Sequence, residues 1–252
     1  MARRGFMRSG NPFLSDKAIQ KATDNVLDDD FTNVGYAHMT VGGAANKTMI
    51  LGAILLFFAI INFTYANMML TIVGAIGGLI LAFAAAFKPQ NSNIIAPVYS
   101  ILEGLFVGGI TALFASSFNG IVANAIMLTM ALFFGMLFLY KAKIIKVTAK
   151  FRSILIMATF GVVAIYLASW VMSFFGMSIP FIHETGLMGI GISIVFIAIA
   201  SLNLLLDFDN FEQGEANRLP ANMEWFFAMG LIITVVWLYI EVLRLLAKLQ
   251  ND

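Results

Sequence analysis

Cysteine is absent from the 252-residue sequence, histidine occurs only twice, and charged residues make up 12% of the chain. Without cysteine there is no disulfide and no thiolate metal site, and the redox compartment stays undetermined. His38 and His183 fall in different predicted loops, so histidine-based metal binding and triad chemistry are not expected. The formal net charge of +1 gives no broad basic surface, and no nucleic-acid partner is expected. Soluble domains carry about 25% charged residues, so the composition indicates a protein of the lipid bilayer.

Seven long apolar segments follow a polar N-terminal stretch. Residues 1–46 are predicted to form a polar cytoplasmic tail, mobile through Gly42 and Gly43, and residues 47–252 a transmembrane domain. Each segment is long enough to cross the bilayer core as a helix, and none has the short-strand pattern of a barrel. The predicted fold is therefore all-α, a polytopic bundle of seven helices. The predicted spans are 48–66, 68–87, 93–115, 120–140, 153–177, 186–208 and 223–246.

The distribution of lysine and arginine predicts the orientation. With the N-terminus in the cytoplasm, cytoplasmic segments hold 13 of these residues and outer segments hold two. The positive-inside rule then places the protein in the cell (inner) membrane with a cytoplasmic N-terminus and, after seven spans, an outer C-terminus. Five of the basic residues lie in the link from Lys141 to Arg152, which we interpret as a topogenic signal.

Two aspartates end the sixth span, in the sequence LLLDFDNFE. Asn203 and Asp207 are four residues apart and share a helix face, whereas Asp209 lies roughly 200° around the helix from Asp207. Both aspartates cannot line one narrow path while the helix is regular. Because an acid in hydrocarbon usually has a partner, a proton or an ion path, this stretch is the first candidate site.

Three glutamates accompany other spans. Glu103 shares a face with Ser100 and Thr111, which is typical either of a water-accessible stripe or of a protonated acid hydrogen-bonded across helices. Glu241 lies three residues before Arg244, so the two can pair within one helix, or Glu241 can act as an ion ligand. Glu224 is predicted at the depth of the two aspartates.

Glycines are placed where helices could approach closely. The second span has Gly74, Gly77 and Gly78, and the third has Gly104 and Gly108 in a GxxxG frame. The sixth span has three more, Gly186, Gly189 and Gly191. These spacings predict tight helix crossings.

Several short motifs in a fixed order resemble the Bax-inhibitor family (transmembrane Bax inhibitor motif proteins), in a bacterial branch with a longer tail. They are Phe208-Asp209, the frame Leu238-Tyr239-Ile240-Glu241 before a basic leucine-rich end, and Ala96-Pro97 leading into Ile101-Leu102-Glu103-Gly104. The resemblance covers roughly residues 45 to 250.

The resemblance implies a seven-helix fold with the last helix in the centre, wrapped by the other six. It also implies a pH-sensitive calcium leak gated by two acids that share a proton when the path is closed. By position those acids are Asp209 and Glu241. The chain departs from the family in having glutamate at 241, an extra acid at Asp207 and a longer interval between the two acids.

The interval raises a physical difficulty. With spans drawn as above, Asp209 and Glu241 lie roughly 27 Å apart along the last helix, too far to share a proton. Either the last helix begins later, with residues 220–228 in the interface, or the partner acid is Glu224. Calcium is expected as the transported ion, and no cofactor or tightly bound metal is expected.

Two other classes of function are considered. A membrane interaction protein would use its tail to modulate a partner such as a membrane protease or a stress factor, and its buried acids would be structural. An enzyme is not expected, because the chain has no HExxH or GxSxG motif, no thiol, and no histidine in a span.

Overall fold

The structure, a computed structural model, describes residues 37–176 and 186–251, so the predicted tail lies outside the described residues as far as residue 36. Within the described part, seven helices are long and apolar enough to cross a membrane, and none of it forms a strand. The predicted all-α, seven-helix fold is confirmed. The helices are α1 Val41–Tyr65, α2 Met68–Phe87, α3 Ser92–Ser117, α4 Ile121–Lys141, α5 Ala149–Phe174, α6 Leu187–Ala216 and α7 Met223–Asn251, with a 3₁₀ turn at Pro89–Asn91 before α3.

Polar side chains cap the N-termini of several of these helices. Thr40 accepts a hydrogen bond from the Gly43 amide at α1, and Asn67 accepts from the Met69 and Leu70 amides at α2. Thr148 does the same for Phe151 at α5. Such caps satisfy backbone N–H groups that have no partner within the helix. Between α1 and α2 the chain reverses over two residues, with Ala66 in the left-handed region (φ 47°). α1 and α2 therefore run antiparallel.

Two helix ends differ most from the predicted span limits. α1 begins at Val41, seven residues before the predicted limit, so Gly42 and Gly43 are helical and the prediction that they belong to a mobile tail is wrong. α6 continues to Ala216, eight residues beyond the predicted end at 208. Hydropathy marks where apolar residues stop, whereas capping and tertiary contacts determine where a helix ends.

The chain forms two compact units. The first holds the described residues up to Ala112 together with Leu206–Ile233, and the second holds Leu113–Leu205 and the residues from Thr234 onward. α3, α6 and α7 therefore each contribute to both units.

Glycines of α2 and α3 let backbones meet in the first unit. A side chain at Gly104 would overlap the Leu55 carbonyl oxygen of α1, and one at Gly108 would overlap the Ala59 carbonyl oxygen. At Gly74 of α2 the obstacle is the Leu102 carbonyl oxygen of α3. The predicted close crossings are confirmed at these positions. They are not found at Gly186, just before α6, or at Gly191 of α6, where an added Cβ would meet open space.

A buried asparagine joins the same three helices. Asn62 of α1 is fully buried, and its amide nitrogen donates to Thr71 Oγ1 of α2 (2.9 Å) and to the Leu105 carbonyl of α3 (2.6 Å). Its oxygen accepts from the Asn67 amide at 3.1 Å. Each polar atom of this side chain is therefore satisfied, as a polar group in an apolar bundle requires. The sequence reasoning did not identify Asn62.

α7 is the most enclosed of the seven helices. Of its most apolar 18-residue window, 72% is buried, against 17–50% for the other six. This burial is what a helix with neighbours on most sides would show. The central position implied by the family resemblance stays a prediction.

We expect Gly108→Ala to lower the free energy of unfolding by about 1–3 kcal/mol, because the new methyl group would collide with the α1 backbone. Gly135→Ala is the matched control, since a Cβ at this exposed α4 position meets nothing within 4 Å. It should be neutral or stabilising by up to about 1 kcal/mol. Unfolding in mixed micelles followed by circular dichroism would measure both, and equal effects would contradict the proposed backbone contact.

Candidate functional site: the intramembrane acids

The two aspartates of α6 differ in burial. The Asp207 side chain is 1% exposed, whereas Asp209 is partly exposed and accepts a hydrogen bond from Gln213 Nε2 at 2.7 Å. They lie nine and seven residues before the end of α6 at Ala216, or roughly 14 and 10 Å along the helix axis. The enclosed acid is therefore Asp207, which shares a helix face with Asn203. The acid nearer the helix end is Asp209, which the family resemblance assigns as one of the two gating acids.

Asn203 joins α6 to α5 within the second unit. It is 5% exposed, and its Nδ2 donates to Thr159 Oγ1 and to the Ile199 carbonyl, both at 2.9 Å. The amide nitrogen is thus engaged in hydrogen bonds to the protein. The amide oxygen is the group through which Asn203 could contact a cation.

Glu241 of α7 lies in a hydrogen-bonded cluster of the second unit. It is 1% exposed, and its Oε1 accepts from the Tyr166 hydroxyl of α5 at 2.6 Å and from Trp237 Nε1 at 3.1 Å. Arg244 Nη1 donates to Oε2 at 3.1 Å and also donates to the Tyr166 hydroxyl oxygen. The predicted pair within one helix is confirmed. The arginine charge balances a carboxylate that would otherwise be isolated in the apolar interior.

Tyr166 is the member of this cluster that the sequence reasoning missed. It comes from the fifth span, 75 residues before Glu241, and it donates to the carboxylate while accepting from the guanidinium. The guanidinium also lies over its ring, 4.9 Å from the centroid. A hydroxyl-bearing aromatic residue within an apolar span was the signal available, because a buried Tyr O–H usually finds a partner.

Glu224 interacts with the start of α1. Its Oε1 accepts from the Thr40 amide at 3.0 Å and from the Thr40 hydroxyl at 3.2 Å. The carboxylate packs against Gly43, where any side chain would collide with it, and nearby Glu215 accepts from the Val41 amide at 3.3 Å. Negative charge at the N-terminus of a helix is favoured by the helix dipole. The geometry of Glu224 is thus that of a cap for α1.

The start of α7 settles one of the two alternatives for the partner acid. The helix begins at Met223, as first drawn, so the alternative that it begins later is wrong. α7 is continuous, and Glu224 and Glu241 lie 17 residues apart on it, roughly 26 Å along the axis. These two acids therefore cannot share a proton with each other, and Glu224 as the partner of Asp209 stays a prediction.

Three chain segments meet beside Glu224. The Met39 amide donates to the Leu219 carbonyl at 2.7 Å, and the Ala221 amide donates to the Ala37 carbonyl at 3.0 Å. Asn222 Nδ2 donates to the Gln90 carbonyl, in the link between α2 and α3, at 3.2 Å. These segments are separated along the chain by even numbers of spans. Their contact agrees with an even number of crossings between each pair of segments.

Glu103 lies on α3 and faces α2. It accepts a hydrogen bond from Tyr99, one turn earlier on the same helix, and its Oε2 lies where a Cβ on Gly78 would approach to 2.8 Å. Ser100 is fully buried, and Thr111 is 6% exposed and donates to the Val107 carbonyl at 2.6 Å. The bond to Tyr99 is within one helix, so it is neither the bond across helices nor the water-accessible stripe that the sequence left open for Glu103.

No group of three or more histidine, aspartate and glutamate side chains able to hold a metal ion occurs within residues 37–176 and 186–250. The acids instead occupy distinct surroundings, with a guanidinium at Glu241, a helix start at Glu224 and a tyrosine at Glu103.

We expect Arg244→Met to lower the free energy of unfolding by roughly 1–3 kcal/mol, because it leaves the Glu241 charge buried without its cation. The double variant Arg244→Met/Glu241→Gln should be more stable than the single variant, since glutamine carries no charge. Lys150→Met, at an exposed position of α5, is the control and should have little effect. Chemical unfolding in micelles would measure the three values. A double variant less stable than Arg244→Met would show that Arg244 does not act by neutralising Glu241.

A family profile described as Bax inhibitor 1 like matches residues 11–251. No curated protein and no solved structure matches the chain. The profile covers nearly the whole sequence, including all seven helices and every acid described above. The chain therefore belongs to the Bax inhibitor 1 like family and is a multi-pass membrane protein.

Proposed function

We propose that the protein is a pH-sensitive passive leak for cations, with calcium as the transported ion, and that its N-terminus faces the cytoplasm. Membership of the Bax-inhibitor family supports the class of function. The observation that carries the proposal is Asp207, an acid with 1% exposure within the membrane-spanning helix α6. An acid held there has a cost in hydrocarbon that only a proton, a partner or a passing cation removes.

In this proposal Asp207 is the pH-sensing acid and Asp209 is the acid at the entrance to the path. A protonated Asp207 is neutral, and the surrounding apolar side chains keep the path closed. When the pH rises and the proton leaves, the charged carboxylate repels neighbouring acids and attracts a cation. Flux should therefore increase with pH, and calcium fits because it accepts several carboxylate and amide oxygens, including that of Asn203.

Glu241 enters the proposal through its position in the family motif, with Arg244 as its partner. Its carboxylate is held by Tyr166, Trp237 and Arg244, so a cation can use it only after Arg244 releases it. Glu224 is assigned to capping α1. Glu103 is placed outside the path, because its bond to Tyr99 turns it toward α2.

The test is calcium flux into proteoliposomes that contain the purified protein, measured between pH 5 and 8. For the unmodified chain we expect flux to rise with pH. Asp207→Asn should hold the flux at pH 8 near the value at pH 5, because asparagine has no charge to acquire. Asp209→Asn should reduce the flux at all pH values while preserving its dependence on pH.

Glu212→Gln is the matched control, since Glu212 is an exposed acid of the same helix, and its profile should match that of the unmodified chain. A flattened profile for Asp209→Asn but not for Asp207→Asn would assign the sensor to Asp209. Absence of calcium flux at every pH would overturn the leak and leave the interaction role, in which the tail binds a protein partner, as the surviving hypothesis.

A further inference from the structure

A cavity of about 310 Å³ lies between α2 and α3, beside Glu103. Its floor on α2 consists of small residues one turn apart, Ala75, Gly78 and Ala82. Small side chains at this spacing leave a hollow along one helix face. The volume falls at the lower end of the range usual for small-molecule sites.

The walls of the cavity are apolar. Phe106 of α3 and Ile233 of α7 line it, and Leu79, which is 58% exposed, stands at its rim. The exposed leucine shows that the cavity opens on the apolar outer surface of the described helices, which faces lipid in a membrane protein. A molecule could therefore enter from the bilayer without crossing water.

The polar groups of the cavity are the Tyr99 hydroxyl and the Glu103 carboxylate. Tyr99 is 3% exposed and donates to Glu103. Among the described residues no lysine, arginine or histidine forms an ion pair with Glu103, in contrast to Glu241 and its arginine. The cavity thus presents an apolar surface with one acidic acceptor and no protein cation to neutralise it.

The depth of Glu103 limits what can reach it. It is the twelfth residue of the 26-residue α3, roughly 17 Å from the start of a helix of about 39 Å. The ammonium group of a phospholipid stays at the bilayer surface, so it does not reach the middle of a span. A divalent cation needs six or more oxygen ligands, which one carboxylate and one phenol do not supply.

We propose that this cavity binds a lipophilic amine, a protonated primary amine carried on a short hydrocarbon body. The ammonium group donates to the Glu103 carboxylate, and the hydrocarbon packs against Phe106, Ile233 and the small residues of α2. A charge-assisted hydrogen bond of this kind is stronger than a neutral one and is strongest away from water. The site is separate from the proposed leak through Asp207.

The experiment measures binding of radiolabelled octylamine to the full chain in phosphatidylcholine nanodiscs, after subtraction of binding to empty nanodiscs. We expect saturable binding with about one amine per chain. Unlabelled octanol, which has the same body but no charge, should compete at least about tenfold more weakly, as loss of a charged hydrogen bond requires. Equal competition by octanol would overturn the role of the carboxylate.

Variants locate the site. Glu103→Gln should weaken octylamine binding about tenfold or more, and Ala75→Phe, which fills the cavity, should abolish it. The matched controls are Glu212→Gln, which removes an exposed acid, and Ile76→Phe, which enlarges a lipid-facing neighbour of Ala75. Both controls should bind as the unmodified chain does. Unchanged binding in Glu103→Gln and Ala75→Phe together would overturn the proposal.

Two further measurements distinguish the amine site from a lipid-headgroup site and from the calcium path. Addition of phosphatidylethanolamine to the nanodiscs should leave octylamine bound, and displacement would assign the cavity to a lipid headgroup instead of a free amine. Glu103→Gln should retain pH-dependent calcium flux, because Glu103 is not placed in the path. The octylamine and octanol comparison on the unmodified chain does not depend on the folding of any variant.

Discussion

The cost of placing a carboxylate in hydrocarbon governs the arrangement of this protein, because an ionised acid there loses several kcal/mol of hydration unless something replaces it. The bundle meets the requirement by different means at different helices. At Glu241 the lost hydration is replaced by hydrogen bonds from a guanidinium and two further donors. At Glu224 it is replaced by hydrogen bonds from the start of α1. At Glu103 it is replaced by a bond from a single tyrosine. The acid that ends up most enclosed in α6 is Asp207, and this is why the proposed chemistry is centred on it.

Close approach of backbones in the first unit has a second consequence. Gly104 and Gly108 bring α3 against α1, and Gly74 brings α2 against α3, so these helices touch through their backbones. Further along α2, small residues continue past the crossing, but no large side chain of a neighbouring helix fills the space beside them. The cavity beside Glu103 is the result. Tight packing and an open hollow therefore arise from the same choice of small residues on one helix face.

Hydrogen bonds also join the segments at one set of helix ends. Residues 37–40 bond to the link between α6 and α7, and that link bonds in turn to the link between α2 and α3. A displacement of the end of α6 would therefore also displace the start of α1. Lys47 over the Trp225 ring, 4.9 Å from its centroid, adds a further contact between the second turn of α1 and the first turn of α7. Trp225 is thus part of a contact between helices.

The sequence by itself determined the features that depend on local order along the chain. Long apolar runs fixed the number of spans, short links made neighbours antiparallel, and the three-residue spacing of Glu241 and Arg244 predicted their pairing, because all of these follow from helix geometry within one segment. Tertiary structure decided the rest. Tyr166 meets Glu241 across 75 residues and Thr40 meets Glu224 across 184, and no periodicity reports which helix faces which. The same holds for Asp207 and Asp209, whose spacing predicted opposite faces. Only the packing of neighbouring helices made one face buried and left the other partly exposed.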